Sequence, residues 1–202
     1  MVSFNGNPVI LKRSRRKSIS LQVQPGGVIC ISAPLRLPEY VIADYLREKS
    51  GWIESRLAKT NAVWTAAENT PLTAADLEKL KQNAQREFPA LAAYYAEKMG
   101  VTYGKISIRS QKGRWGSCSG SGNLSFNCLL MLAPDYVREY VVVHELTHRK
   151  QMNHSPAFWN EVARMMPDYR RGMCWLKDNG SLLIARMECG RRAKKIHASI
   201  SS

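Results

Sequence analysis

Histidine is scarce in this chain: there are four in 202 residues, and three of them fall between positions 144 and 154. Acidic residues are also few, with 16 Asp and Glu against 30 Lys and Arg, for a formal net charge of +14. That imbalance favours contact with polyanions (nucleic acid, nucleotides or an anionic surface) without choosing among them. The five cysteines, Cys30, Cys118, Cys128, Cys174 and Cys189, form an odd set with no C-x-x-C pair. Neither a disulfide framework nor a zinc ribbon fits such spacing, and a reducing compartment does. No stretch approaches the roughly 18 consecutive apolar residues of a spanning helix. Nor does an apolar segment precede the basic residues that begin at Lys12, so no signal peptide is visible. Repeats and low-complexity tracts are missing too. These absences lead to the expectation of a soluble, cytoplasmic protein without a membrane partner. At 45% hydrophobic residues the chain has ample material for a core, and its length suits one domain.

Period-two alternation marks strands at Val9–Leu11, Ile19–Val23 and Ile29–Ala33. Pro25-Gly26-Gly27 signals a hairpin between the last two. From Pro38 to about Leu57 the apolar spacing turns helical, and a polar segment from about Thr60 to Thr70 reads as a linker. Thr73 with Asp76 forms a capping-box signature for a second helix, interrupted near Pro89 and stopped by Gly100. Strand signals return at Lys105–Ser110 and Asn123–Leu132, around the turn-rich segment Gln111–Gly122. The second of these reads either as an edge strand flanking a cleft or as an ordinary sheet strand. The expected class is α+β, with a mostly antiparallel N-terminal β region. One domain spans residues 1–188, divided into 1–70 and 71–188, and the basic residues 189–202 form a flexible tail.

The chemistry concentrates in His144-Glu145-Leu146-Thr147-His148. Propensity assigns Tyr140–Val143 to a strand, but only a helix sets residues i and i+4 on one face. On a helix, His144 and His148 offer two imidazoles to one divalent ion, zinc first among the candidates, and Glu145 reaches a water on that ion. Pro134 and Asp135 suit the helix start. A catalytic zinc site usually has three protein ligands and an open position. His154 supplies the third if the chain leaves the helix at Gln151–Asn153, with Asn153 taking the left-handed conformation. Ser155-Pro156 then opens the next helix. Glu161 is the rival third ligand. Glu145 acts as general base and then general acid, while Tyr169 and Arg170 are candidate stabilisers of the oxyanion or a surface pair. Cys118 lacks an identifiable base and reads as a packed thiol. Phe158 and Trp159 read as core, and His197 lies in the tail.

Arg114–Ser119, the strand from Asn123 to Pro134, Tyr140–His148, Asn153-His154-Ser155 with Phe158-Trp159, and Pro167-Asp168-Tyr169 with Trp175-Leu176 resemble the YgjP-like family of metal-dependent hydrolases. That family is similar to the WLM and SprT-like zinc metallopeptidases. The match is dense from about Ile106 to Gly180. It implies a zincin-like α+β fold, ligands at His144, His148 and His154, and a catalytic Glu145. The short segment Asn61–Pro71 leaves no room for a Gly-containing hairpin found in other members, which implies a reduced N-terminal sheet.

Three functions fit these residues. The first is a zinc-dependent peptidase-like hydrolase acting on peptides or proteins. The second uses the same site on a nucleotide phosphoanhydride, which the positive charge favours. The third is a nucleic-acid-associated protein with a structural metal site. Its basic clusters at Lys12–Lys17 and Arg191–Lys195 stand apart from the histidines and suit only non-specific polyanion contact.

Overall fold

The computed structural model describes residues 3–24 and 27–200, with side chains for 4–24 and 27–193. The chain forms two compact units, Met1–Thr70 and Pro71–Ser202.

The first unit carries β1 (Ser3–Phe4), β2 (Asn7–Ser14), β3 (Ser20–Val23), β4 (Ile29–Pro34), α1 (Glu39–Glu48) and α2 (Ser50–Glu68). Its sheet runs in the order β1-β2-β4-β3. Ile29, Ile31 and Ala33 on β4 are fully buried, and a strand that apolar gains most from a central place. It pairs antiparallel with β3 but parallel with β2, Val9 opposite Ile29 through Ser14 opposite Pro34. The longest pairing is therefore parallel, and the N-terminal region is only partly antiparallel. Pro25 and Gly26 of the expected hairpin lie outside the described residues. Its closure is visible in the Gln24 N–H, which donates to Val28 O at 2.7 Å.

The helical region of this unit differs from the reading of one helix followed by a linker. The chain breaks at Lys49 and then stays helical through Glu68. Ile53, Leu57, Trp64 and Ala67 are buried along α2. They recur at helical spacing, which carries the helix through the polar residues between them.

The second unit carries α3 (Ala74–Met99), β5 (Ile106–Arg109), β6 (Gly116–Cys118), β7 (Leu124–Asn127), α4 (Asp135–Thr147), α5 (Pro156–Met165) and α6 (Tyr169–Ile200). The capping box forms as expected: Thr73 Oγ1 accepts from the Asp76 N–H at 3.1 Å, and the Asp76 carboxylate accepts from the Thr73 N–H at 2.9 Å. Gly100 closes α3 at φ 62°, and Pro89 sits inside a helix that continues past it. The sheet order is β5-β7-β6. Both edges of β7 are thus occupied, which excludes the edge-strand reading of Asn123–Leu132. The strand also ends at Asn127 and continues as a 3-10 turn at Cys128–Leu132.

Phe88 of α3 stacks on Phe126 of β7 at 4.6 Å in the middle of the core. Against that core lies α4, whose Val137, Val142, Val143 and Leu146 are fully buried. Packing on several sides overrides the strand propensity of the valines. Arg138 pins the start of the helix by donating to Ala133 O and Asp135 Oδ1, each at 2.5 Å, and by pairing with Glu87.

The expected tail is part of α6, so the unit does not stop at 188. The Leu72 N–H donates to Arg186 O at 3.0 Å, Lys112 pairs with Glu188, and Arg191 Nη2 donates to both Ser110 O and Oγ at 3.0 Å. Gly190 lies so close to residue 72 that a Cβ there would stand 1.8 Å from Leu72 O. Among the described residues no helix is long and apolar enough to cross a membrane.

Candidate metal centre

His144 lies one turn before the end of α4, and His148 is its C-terminal cap. The turn after it is tight: the Thr147 carbonyl accepts from both the Lys150 and Gln151 N–H groups, at 2.9 and 3.0 Å. The chain leaves the helix there, earlier than Gln151–Asn153. It does so without a left-handed Asn153, since Asn5 is the only non-glycine residue with positive φ among those described. Ser155 then caps α5 by accepting from the Phe158 N–H at 3.4 Å, with Pro156 in the first turn. This reversal brings His154 back to the pair on α4.

His144, His148 and His154 each offer a ligand atom, and these atoms all lie within 4.8 Å of one another. The Nε2 atoms of His144 and His154 are 3.0 Å apart. Two nitrogens on one tetrahedral ion at about 2.0–2.1 Å stand roughly 3.3 Å apart, so the pair is already near ligating separation. His148 Nδ1 donates to Gln151 O at 3.1 Å, which leaves its other nitrogen free to ligate. Burial, then the proximity of His148 and His154, push the His144 imidazole down to about 3. It is therefore neutral at ordinary pH, as a metal ligand must be. Its buried Nδ1 has no hydrogen-bond partner. The donor set fits a divalent metal ion.

Aromatic rings support the three histidines. The ring of Phe158, fully buried in the first turn of α5, lies 4.9, 4.7 and 4.7 Å from those of His144, His148 and His154. Trp159 stacks on His154 at 5.9 Å and on Tyr169 at 5.5 Å. Phe158 is a core residue, as expected, while Trp159 is half-buried against the core, and both also carry the site.

Glu145 is 5% exposed, and burial raises its carboxyl to about 8 against the opposing pull of Arg114. It packs so tightly against the backbone of β6 that a Cβ on Gly116 would fall 2.5 Å from its Oε1. Two cavities meet at this carboxylate, sharing Arg114, Gly116, His144 and Glu145 in their walls. One, of about 310 Å³, opens over His148 and His154. The other, of about 280 Å³, runs between Trp115, Tyr140, Val141 and Leu176.

The remaining candidates lie elsewhere. Glu161 pairs with Lys150 and Arg164, hydrogen bonds that hold its carboxyl down to about 2. It does not join the histidines. Tyr169 belongs to the aromatic stack, 6.4 Å from Tyr140, and Arg170 is exposed beside it. Neither lines the two cavities. Cys118 lines the larger one, and burial pushes its thiol up, away from the reactive thiolate. The sequence pattern gives no role to Arg114 or Asn127, whereas the tight approach of Trp115-Gly116 to the active helix is expected from it and is present at Glu145. The run Arg114-Trp115-Gly116 before a strand was the available signal for Arg114.

The family profile described as YgjP-like, metallopeptidase domain, matches residues 17–76 and 74–179. The chain belongs to the YgjP-like metallopeptidase family. Two crystal structures of metallopeptidase zymogens resemble it in part. Abylysin from Pyrococcus abyssi is 22% identical over 45% of this chain and 93% of its own, with a TM-score of 0.41. Jannalysin from Methanocaldococcus jannaschii is 18% identical over 44% and 94%, with a TM-score of 0.38. No curated protein matches the chain. For this YgjP-like protein, family membership supports a metal-dependent, peptidase-like hydrolase, and the histidine triad is where an ion can be held.

Proposed function

We propose that the protein is a zinc-dependent peptidase in which His144, His148 and His154 hold the ion and Glu145 is the general base. The observation that carries this reading is the buried Glu145 carboxylate, set one residue from His144 in the wall of the cavity that the three histidines line. A bound zinc ion supplies Lewis acidity, which lowers the pKa of a water molecule toward about 7 and polarises the carbonyl under attack. Burial raises the Glu145 carboxyl in the metal-free chain, and a cation held by the histidines favours its ionised form, the state a general base needs. Its carboxylate takes a proton from the water as the oxygen bonds to the carbonyl carbon. It returns that proton to the nitrogen as the C–N bond breaks, leaving a carboxylate product and a free amine.

An edge strand beside Glu145 supports an extended peptide as substrate. Among the described residues β6 pairs with β7 alone, so its other edge is available to an extended peptide beside Glu145. Replacing Glu145 by Gln tests the assignment, since the amide keeps the shape and loses the base. Turnover of a peptide substrate is expected to fall by about 100-fold or more with zinc stoichiometry unchanged, and wild-type turnover would remove Glu145 from the mechanism. Hydrolysis of nucleoside triphosphates is the second reading, favoured by the net charge of +14, and the same variant tests it.

A further inference from the structure

Arg114 is the one strong cation built into the walls of both cavities beside Glu145. Its backbone is fixed with unusual care for an exposed loop residue. Asn127, fully buried at the end of β7, donates from Nδ2 to Arg114 O at 3.1 Å and to Gln111 O at 2.8 Å. The Asn127 N–H donates to Trp115 O at 2.8 Å. Three hydrogen bonds from one buried residue thus anchor the loop that carries the guanidinium. No aspartate or glutamate forms an ion pair with Arg114 among the described residues. Its electrostatic influence is felt at Glu145.

The smaller cavity gives this unpaired cation a context. Trp115, Tyr140, Val141 and Leu176 form its apolar side, and Arg114, His144 and Glu145 share the walls with Gly113 and Gly116. At about 280 Å³ it lies just below the roughly 300–1,000 Å³ that a whole small-molecule ligand occupies. The second cavity, of about 310 Å³, continues from it over His148 and His154, so the space against Trp115 and Leu176 takes one part of a ligand, of the size and character of an apolar side chain. A planar guanidinium binds a carboxylate with two parallel hydrogen bonds. We infer that Arg114 positions the free α-carboxylate of a peptide whose apolar C-terminal side chain enters the Trp115–Leu176 cavity. The site then removes residues from a chain end rather than cutting internally. This rests on the peptidase reading above and names its substrate class.

The test compares two peptides with the same apolar C-terminal residue, one ending in a free carboxylate and the other in an amide. Zinc-loaded wild type, Arg114→Gln and Arg114→Lys are assayed for kcat and KM. A charge-assisted pair supports a preference of roughly 10–100-fold for the free acid. Wild type is expected to show it, R114Q to lose it through a raised KM for the acid alone, and R114K to retain part. Equilibrium binding of both peptides to metal-free protein, read from tryptophan fluorescence, is expected to show the same Arg114-dependent preference. That measurement separates the two readings. Arg114-dependent binding of the acid without turnover overturns the peptidase and leaves the carboxylate site standing. Equal handling of acid and amide by wild type overturns the carboxylate site, as does R114Q lowering kcat equally for both. Arg114-dependent binding of a nucleoside triphosphate, with none of the acid peptide, overturns it as well.

Discussion

Gly116→Ala isolates the contact between β6 and the general base. The new methyl carbon would stand 2.5 Å from Glu145 Oε1, 2.7 Å from Cγ and 2.8 Å from Cδ. Comfortable carbon contacts begin at about 3.5 Å, so the carboxylate must retreat by about 1 Å. Rotating the carboxylate tip cannot relieve the clash, because Cγ is as crowded as the oxygen and the residue is 5% exposed. A misplacement of about 1 Å at a reacting group can cost about 100-fold in rate, or about 2.7 kcal/mol of barrier. Overpacking adds about 1–3 kcal/mol of lost stability. The three atoms nearest the new methyl all belong to Glu145 and none to a histidine, so zinc binding is expected to survive. Turnover, zinc stoichiometry and thermal melting should be measured on the same preparation. Wild-type turnover in G116A refutes the claim that β6 sets the carboxylate, and loss of zinc with turnover shows that the strand acts on the ligands instead.

Two further perturbations follow from other contacts. In metal-free protein Glu145 is raised from 4.5 to about 8 and His144 is lowered from 6.5 to about 3. Of these two groups only Glu145 still differs in proton binding between folded and unfolded chain above pH 6.5, and it binds more tightly when folded, so its contribution to stability is expected to fall from pH 6.5 to about 8. Chemical denaturation should show that slope in wild type and lose it in Glu145→Gln. Between pH 4.5 and 6.5 the His144 contribution has the opposite sign, and the two oppose each other. Gly190→Ala places a Cβ 1.8 Å from the Leu72 carbonyl oxygen, against backbone on both sides. Overpacking of about 1–3 kcal/mol lowers the melting temperature by roughly 2–12 °C for a chain of this size. An unchanged melting temperature would mean that α6 is not packed at residue 190.

The site was more legible in the sequence than the fold around it. Two histidines four residues apart need a helix, and that requirement outweighed the strand propensity of Val141–Val143. The turn before His154 was readable from Ser155-Pro156, although the mechanism of reversal was not: Thr147 O accepts two N–H groups where a left-handed Asn153 was expected. Periodicity located the strands of the first unit but not their order. Strand order depends on which strand is buried on both faces, and Ile29–Ala33 competes with its neighbours only in three dimensions. The continuation of α2 beyond Leu57 hides in polar residues because its buried positions, Trp64 and Ala67, are widely spaced. Arg191–Lys195 looks like a solvated run by composition. Arg191 is tied to Ser110, and the turn before it lies against Leu72, contacts that no local pattern reveals. The tight approach of Trp115-Gly116 to the active helix is readable in the motif, but Arg114 gains a role only once α4 lies against β6.

Zinc coordination by the three histidines is the central claim, and X-ray absorption on protein loaded with one equivalent of zinc tests it directly. One zinc per chain is expected, with three imidazole nitrogens at about 2.0–2.1 Å and an oxygen from solvent completing the shell. His154→Ala is expected to remove one imidazole from that shell and weaken binding, and His144→Ala to abolish stoichiometric binding. A shell containing sulfur, or one that His154→Ala leaves unchanged, would contradict it.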